Sequence, residues 1–167
     1  MMLVCCCIAA GEISAQDKPY RGAEYRTLES FTYGKFEVRM RSAGGEGVVS
    51  SFFTYHDVPD PFSVWNEIDI EMLGRYSNVV QYSTATPGRI FHPVEIPVRY
   101  RPNLSFHEYG IEWTPDYVAF SLDGHEVLRD NRDYIRTLTR GQKLMMNIWP
   151  PLIFSWAGIM HENTPPV

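Results

Sequence analysis

The chain has 167 residues, a formal net charge of −5 and a pI near 5.5, with its acids scattered rather than gathered in a block. A length of this order suits one domain that buries about 70% of its unfolded surface, and the mild acidity argues against nucleic acid or an anionic membrane as partner. Aromatic residues reach 14%, including ten Tyr and four Trp, whose flat faces suit core packing and, for a minority, stacking on sugar rings.

In chain order, the three cysteines Cys5, Cys6 and Cys7 lie inside the uncharged apolar run 1–10, followed by the small-residue stretch Ile13-Ser14-Ala15-Gln16. Residues 1–16 therefore read as a signal peptide cleaved near Ala15 or Gln16, although the usual positive n-region is missing. A lipoprotein signal fits less well, because Val or Cys rather than a small residue precedes each cysteine. The mature chain is then secreted or periplasmic, contains no cysteine and rests on packing instead of disulfides. No run of about 18 apolar residues occurs, so no membrane span is expected.

After residue 20 the periodicity is that of strands. Gly34-Lys35-Phe36-Glu37-Val38-Arg39-Met40-Arg41 alternates with period two, placing Lys, Glu and Arg outward. Gly47-Val48-Val49-Ser50-Ser51-Phe52-Phe53-Thr54-Tyr55 is more continuously apolar and hence more buried. Between them Ser42-Ala43-Gly44-Gly45-Glu46-Gly47 predicts a hairpin turn, since its glycine spacing does not match a phosphate loop and no helix follows. Further strands are predicted over 65–73, 78–83, 106–113, 117–122, 126–130 and 143–149, with Asp123-Gly124 as a hairpin turn. Pro59, Pro61, Pro87, Pro93, Pro97, Pro102 and Pro115 punctuate the gaps, and no stretch supports an amphipathic helix. Many short strands at regular spacing predict an all-β sandwich or jelly roll, without repeat or linker.

Chemistry concentrates in Trp65-Asn66-Glu67-Ile68-Asp69-Ile70-Glu71-Met72-Leu73. On a strand, Glu67, Asp69 and Glu71 share one face while Ile68, Ile70 and Met72 share the other. Retaining glycoside hydrolysis needs two carboxyls about 5–5.5 Å apart. Residues four apart on a strand have Cα atoms about 13 Å apart, a gap that two glutamates leaning together on a concave sheet can largely close. The spacing permits a retaining pair and leaves an inverting pair open. Asp69 between them crowds the row and drives the titrations apart, so the three are one system. The same alternation also occurs on solvated faces of edge strands.

This segment, together with Tyr25-Arg26-Thr27, Tyr33-Gly34-Lys35-Phe36-Glu37-Val38, Val49-Ser50-Ser51-Phe52-Phe53-Thr54-Tyr55 and Lys143-Leu144-Met145-Met146-Asn147-Ile148-Trp149, resembles the bacterial lichenase-type enzymes of glycoside hydrolase family 16, in register over 21–156. The resemblance implies a jelly-roll sandwich of two antiparallel sheets with a concave cleft, and makes 17–167 a glycoside hydrolase domain. It implies nucleophile, assisting aspartate and acid/base at Glu67, Asp69 and Glu71. It implies substrate contacts at Glu24, Arg26, Phe53, Tyr55, Trp65, Asn147, Trp149 and Trp156, each of which equally suits the core or the cleft wall. The uninterrupted Glu-Ile-Asp-Ile-Glu is similar to lichenases and xyloglucan transglycosylases, so a retaining endo-β-1,3-1,4-glucanase acting as a monomer on a polysaccharide comes first. A β-1,3-glucanase or transglycosylase of the same family, and a non-catalytic carbohydrate-binding jelly roll, are the alternatives; three repelling acids give a lectin no advantage.

The chain departs from the lichenase pattern at several places. Pro150-Pro151 follows Trp149 where lichenases have Asn-Gly, Gln81-Tyr82-Ser83-Thr84-Ala85 stands where they carry a sugar-facing Asn and Tyr, and Gly22 replaces a half-disulfide cysteine. Strands expected before Arg21 lack counterparts, and Val167 comes where a closing strand would begin, so the chain is expected to be a piece or a trimmed member with exposed edges and reduced stability. The resemblance also implies a possible structural calcium held near the two chain ends; those ends lack counterparts in this sequence, which does not support it, and no cofactor or metal is expected. The five histidines, His56, His92, His107, His125 and His161, lack ligand spacing. No Gly-x-Ser-x-Gly elbow occurs, which disfavours a serine hydrolase. Asn103-Leu104-Ser105 is a glycosylation sequon with meaning only in a eukaryotic host.

Overall fold

A computed structural model describes residues 20–58 and 62–161, so the leader reading of residues 1–16 lies outside the described residues. Eleven strands are described: β1 Ala23–Arg26, β2 Gly34–Met40, β3 Val49–Tyr55, β4 Glu67–Leu73, β5 Val79–Thr86, β6 Ile90–Phe91, β7 Val94–Pro97, β8 His107–Trp113, β9 Val118–Leu122, β10 His125–Asp130 and β11 Lys143–Trp149. They form two antiparallel sheets. The larger has the order β1-β11-β3-β4-β5-β6 with β7 also on β5, and the smaller has the order β10-β9-β8-β2. The all-β sandwich predicted from periodicity is therefore present, and the strands over 65–73, 78–83 and 106–113 appear with ends moved by one to three residues.

The two sheets meet through side chains that alternation sends inward. Phe52, Ile68, Ile70, Val80 and Tyr82 of the larger sheet pack with Tyr109, Ile111, Trp113, Val118 and Phe120 of the smaller one, all at 2% exposure or less. On β2 the alternation holds, with Lys35, Glu37 and Arg39 exposed and Met40 buried. Burying such aromatic and branched side chains contributes about 1.5–3 kcal/mol each. That packing holds the chain together with no disulfide among the described residues.

The hairpin expected at 42–47 is corrected. β2 pairs with β8 in the smaller sheet and β3 with β11 and β4 in the larger, so this turn carries the chain from one sheet to the other. Its backbone groups bond to other loops rather than across a two-strand ladder: Ser42 N–H to Pro102 O at 3.1 Å, and Gly47 N–H to Ala157 O at 2.9 Å. Gly74, in the β4–β5 turn, lies so close beneath it that a Cβ would stand 1.9 Å from the Gly45 carbonyl oxygen. Turn residues report that the chain bends, and both a hairpin and a sheet crossing satisfy glycine's positive φ at 45 and 47. By contrast Asp123-Gly124, both at positive φ, does join the paired strands β9 and β10 as expected.

β4, with β3 on one side and β5 on the other, is an interior strand, which removes the solvated edge-strand reading of its acids. Its start is tied down by Asn66, fully buried, whose Oδ1 accepts the Arg140 N–H at 3.1 Å. A single helical turn, α1 Phe154–Ala157, follows β11, where no helix was expected.

Because Ile70 is wholly buried directly behind the acid row, Ile70→Ala should lower unfolding free energy by about 2–5 kcal/mol in chemical denaturation, through lost contacts and the cavity left behind. A loss below about 1 kcal/mol would mean that the sheet does not pack through this face.

Candidate active site

The period-two geometry of β4 turns Glu67, Asp69 and Glu71 away from the core and into a cleft of about 410 Å³. The neighbouring strands supply its floor. Tyr55, Phe53 and Ser51 of β3 stand opposite Glu67, Asp69 and Glu71 in register, and Ala85, Ser83 and Gln81 of β5 do so on the other side. One wall holds Trp65, Arg89, Phe91 and Pro93; the other holds Trp149, Ile153 and Trp156.

Each outer carboxyl has its own hydrogen-bond donor. The Trp65 indole donates Nε1–H to Glu67 Oε2 at 2.8 Å. Gln81 Nε2 donates to Glu71 Oε2 at 2.7 Å, while its Oε1 accepts the Trp156 indole N–H at 3.3 Å, so the amide cannot turn freely. Trp65 is braced by edge-to-face contacts with Tyr55 and Phe91, at centroid distances of 5.4 and 6.2 Å.

Burial raises the proton affinity of all three acids. Burial pushes Glu67 up to about 6, against the opposing effects of the Trp65 N–H, a hydrogen bond from Asp69 and the positive charge of Arg89. Burial and then the charge of Glu67 push Glu71 up to about 7, with Gln81 and Ser51 holding it down. Asp69, 5% exposed and flanked by both glutamates, is raised well above the ordinary range, first by burial and then by those charges. Burial and both flanking charges thus favour the neutral form of the middle acid, which shares a hydrogen bond with Glu67. Glu71 is raised further than Glu67, and the three titrate as one coupled system. A row in which one carboxylate is ionised while its neighbour four residues on still carries a proton can attack a carbon and protonate a leaving oxygen at the same time.

The expected contact residues divide. Trp65, Trp149 and Trp156 line the cleft with the acids, the last two with ring centroids 6.0 Å apart. Tyr55 stands behind Trp65, and Phe53 lies on the same face but is 6% exposed, a floor residue with little surface to offer. Glu24 and Asn147 line a separate opening beside β1, and the buried Oδ1 of Asn147 has no partner there. Arg26 pairs with Glu24 and with Asp57 at 2.7 Å, three strands from β4. Reading the sequence singled out neither Arg89 nor Phe91, Pro93 and Ile153 as wall residues, because hairpin and loop geometry alone bring them in. Gln81 and Ser83 were within reach, since their alternation on β5 matches that of the acid row. Gly22 fits against β11 so tightly that a Cβ would meet the Ile148 carbonyl oxygen at 2.5 Å, which leaves no room for the cysteine of the resembled pattern. Among the described residues no group of three or more His, Cys, Asp or Glu is arranged to hold a metal ion.

The chain matches the family described as Glycosyl hydrolases family 16 over residues 9–158. It is 41% identical over 148 residues to a β-glucanase of Acetivibrio thermocellus, covering 88% of this chain and 43% of that protein, so it spans less than half the relative's length. Among solved structures it is similar to a prokaryotic β-1,3-1,4-glucanase (lichenase) from a mouse hindgut metagenome, with a TM-score of 0.80 and 39% identity over 92% of this chain and 70% of that one. It is also similar to the Bacillus licheniformis β-glucanase, with a TM-score of 0.76 and 31% identity over 84% of this chain and 64% of the other.

Raised carboxyl affinities have a stability cost with a definite sign. Glu71 binds its proton more tightly folded than unfolded, so its contribution is fully present below about 4.5 and is lost as pH rises through about 7. Glu71→Gln, which keeps the contact with Gln81, should therefore match the parent protein at pH 4 and be more stable by about 1–3 kcal/mol at pH 8, read from paired thermal melts. An equal difference at both pH values would show that Glu71 is not held protonated by its site.

Proposed function

This chain belongs to glycosyl hydrolase family 16, and from that membership and the cleft geometry we propose that it is a retaining endo-β-glucanase acting on β-1,3-1,4-linked glucan. The observation that carries the reading is the row of three carboxyls on one strand face, Asp69 buried and Glu67 and Glu71 half-buried, all raised in proton affinity, at the floor of an aromatic-walled cleft. The name borne by the solved structure of TM-score 0.80 supports the linkage type.

In the proposed reaction the β-glucan lies across the larger sheet with ring faces against Trp65, Trp149 and Trp156, and the scissile bond sits over Asp69. Glu71 gives its proton to the glycosidic oxygen as that bond to the anomeric carbon breaks, and the Glu67 carboxylate bonds to the same carbon from the opposite face. Neutral Asp69 donates its hydrogen bond to Glu67 and spreads the charge that returns to that carboxylate when the intermediate is released. Water then loses a proton to Glu71 as its oxygen attacks the anomeric carbon, and Glu67 leaves. The apolar walls keep bulk water from the ion row, which strengthens every charge interaction within it. Export fits an extracellular polymer substrate and is supported by the leader-like run at 1–16.

The test compares release of reducing sugar from barley β-glucan, laminarin, xyloglucan and agarose, with the first expected to be cut best. The rate should trace a bell against pH, its acid limb set by ionisation of Glu67 and its alkaline limb by deprotonation of Glu71, the two being macroscopic values of one system. Glu67→Ala should lower turnover by roughly 10⁴-fold or more, and azide should restore it with formation of the α-glycosyl azide. A β-azide would exchange the roles of Glu67 and Glu71. Longer oligomers at high acceptor concentration would instead favour transglycosylation, and no bond cleavage on any of the four polymers would leave only a carbohydrate-binding role.

A further inference from the structure

The β5–β6 turn runs Pro87-Gly88-Arg89 and places an arginine where the backbone asks for glycine or asparagine. Arg89 has φ +59°, directly after Gly88 at φ +83°. Left-handed backbone at a non-glycine residue is costly and tends to persist where the side chain has work to do. The turn itself has no need of a guanidinium. Here the turn delivers one to the mouth of the cleft, with its central carbon 4.9 Å from the centre of the Trp65 ring and 5.9 Å from that of Phe91. Trp65 is the residue whose indole donates to Glu67. The guanidinium therefore acts on the carboxyl twice: through the ring that it stacks on, and through its charge.

Glu67 meets charged and titratable groups from every side. Its own strand brings Asp69 and Glu71, and β3 brings Tyr55 directly opposite. Beyond the end of β3 lies Asp57, where Lys143 of β11 and Arg26 of β1 are already engaged with that aspartate at 3.2 and 2.7 Å. On β5 the in-register partner is the uncharged Ala85. Among the described residues Arg89 is the cation whose charge offsets the burial of Glu67. It is also the only cation among the residues that line the acid cleft.

We propose that Arg89 is a positioning residue for Glu67: stacked on Trp65, it locks the indole that donates to this carboxyl, and its charge keeps the carboxyl in the ionised form that attack requires. The inference rests on the reading of Glu67 as nucleophile, and it assigns to a turn residue the setting of the acid limb of the reaction. Removing the cation should raise the proton affinity of Glu67, while Glu71, which feels the charge of Glu67, should shift less and only through that coupling.

The test uses Arg89→Met, similar in length and uncharged, and Arg89→Lys, charged but unable to stack as a plane. The Glu67 carboxyl is followed by carbon NMR against pH without substrate, its signal assigned through Glu67→Gln, and kcat/KM on barley β-glucan is measured over the same range. Arg89→Met should move the Glu67 titration and the acid limb together to higher pH, lowering kcat/KM at pH 5 by roughly fivefold, the size of a screened charge pair, with a smaller loss on the alkaline side. Arg89→Lys should hold the limb near its original position while raising KM, because the indole is no longer clamped. Added salt should raise the Glu67 titration of the parent protein and not that of Arg89→Met, a comparison that stands even if activity is weak. An unmoved Glu67 titration in Arg89→Met, or a loss of rate uniform across pH, would overturn the proposal and make Arg89 a plain wall residue. If the titration moves as expected but no β-glucan is cut by the parent protein, the positioning role stands and the proposed reaction falls.

Discussion

The rest of the site depends on one constraint, the two-residue alternation of an interior strand. β4 cannot turn three carboxyls toward the cleft without turning Ile68, Ile70 and Met72 toward the core, and it cannot slip by one residue without burying the acids among them. The apolar side fixes the register with several kcal/mol of packing. The acidic side inherits positions it would never choose on electrostatic grounds alone, since adjacent like charges repel. Hydrophobic burial on one face of the sheet thus supplies the free energy that holds a destabilising constellation on the other.

That constellation is kept workable by donors rather than by countercharges. Glu67 and Glu71 are each met by a neutral N–H, from Trp65 and Gln81, and Arg26 and Lys143, farther along the larger sheet, are occupied with Asp57 and Glu24. A full salt bridge to either glutamate would pull its titration down into the ordinary carboxylate range, and the row would lose its raised proton affinity. Neutral donors orient the oxygens while leaving proton affinity high. Among the described residues the cation that lines the cleft, Arg89, sits over aromatic rings instead of on a carboxylate, where it acts at reduced strength.

Much of this was legible in the residues, for a physical reason: wherever side-chain direction follows from strand period alone, sequence order is enough. The acid row, the core-facing Ile68 and Ile70, and the outward Lys35, Glu37 and Arg39 belong to that class. The β2–β3 connection does not, because the glycines at 44, 45 and 47 encode a bend and leave open whether the next strand returns beside the last or crosses to the other sheet. Long-range pairing decides that, and Ser42 and Gly47 find their backbone partners far along the chain, at Pro102 and Ala157. The short strands β1, β6 and β7 offer too few residues for a period to register. Pro87-Gly88 announces a turn, but nothing local in 87–91 says that it brings Arg89 and Phe91 to the cleft.

Two of the four tryptophans terminate in the acid row, Trp65 directly on Glu67 and Trp156 through Gln81 on Glu71. Indole emission responds to the electric field across the ring and to nearby proton donors. Each outer carboxyl therefore has an optical reporter wired to it by one hydrogen bond or two, while Trp113, sealed in the core, supplies a constant background. Ligand arrival and proton loss at the row should both be visible in the light the unlabelled chain emits.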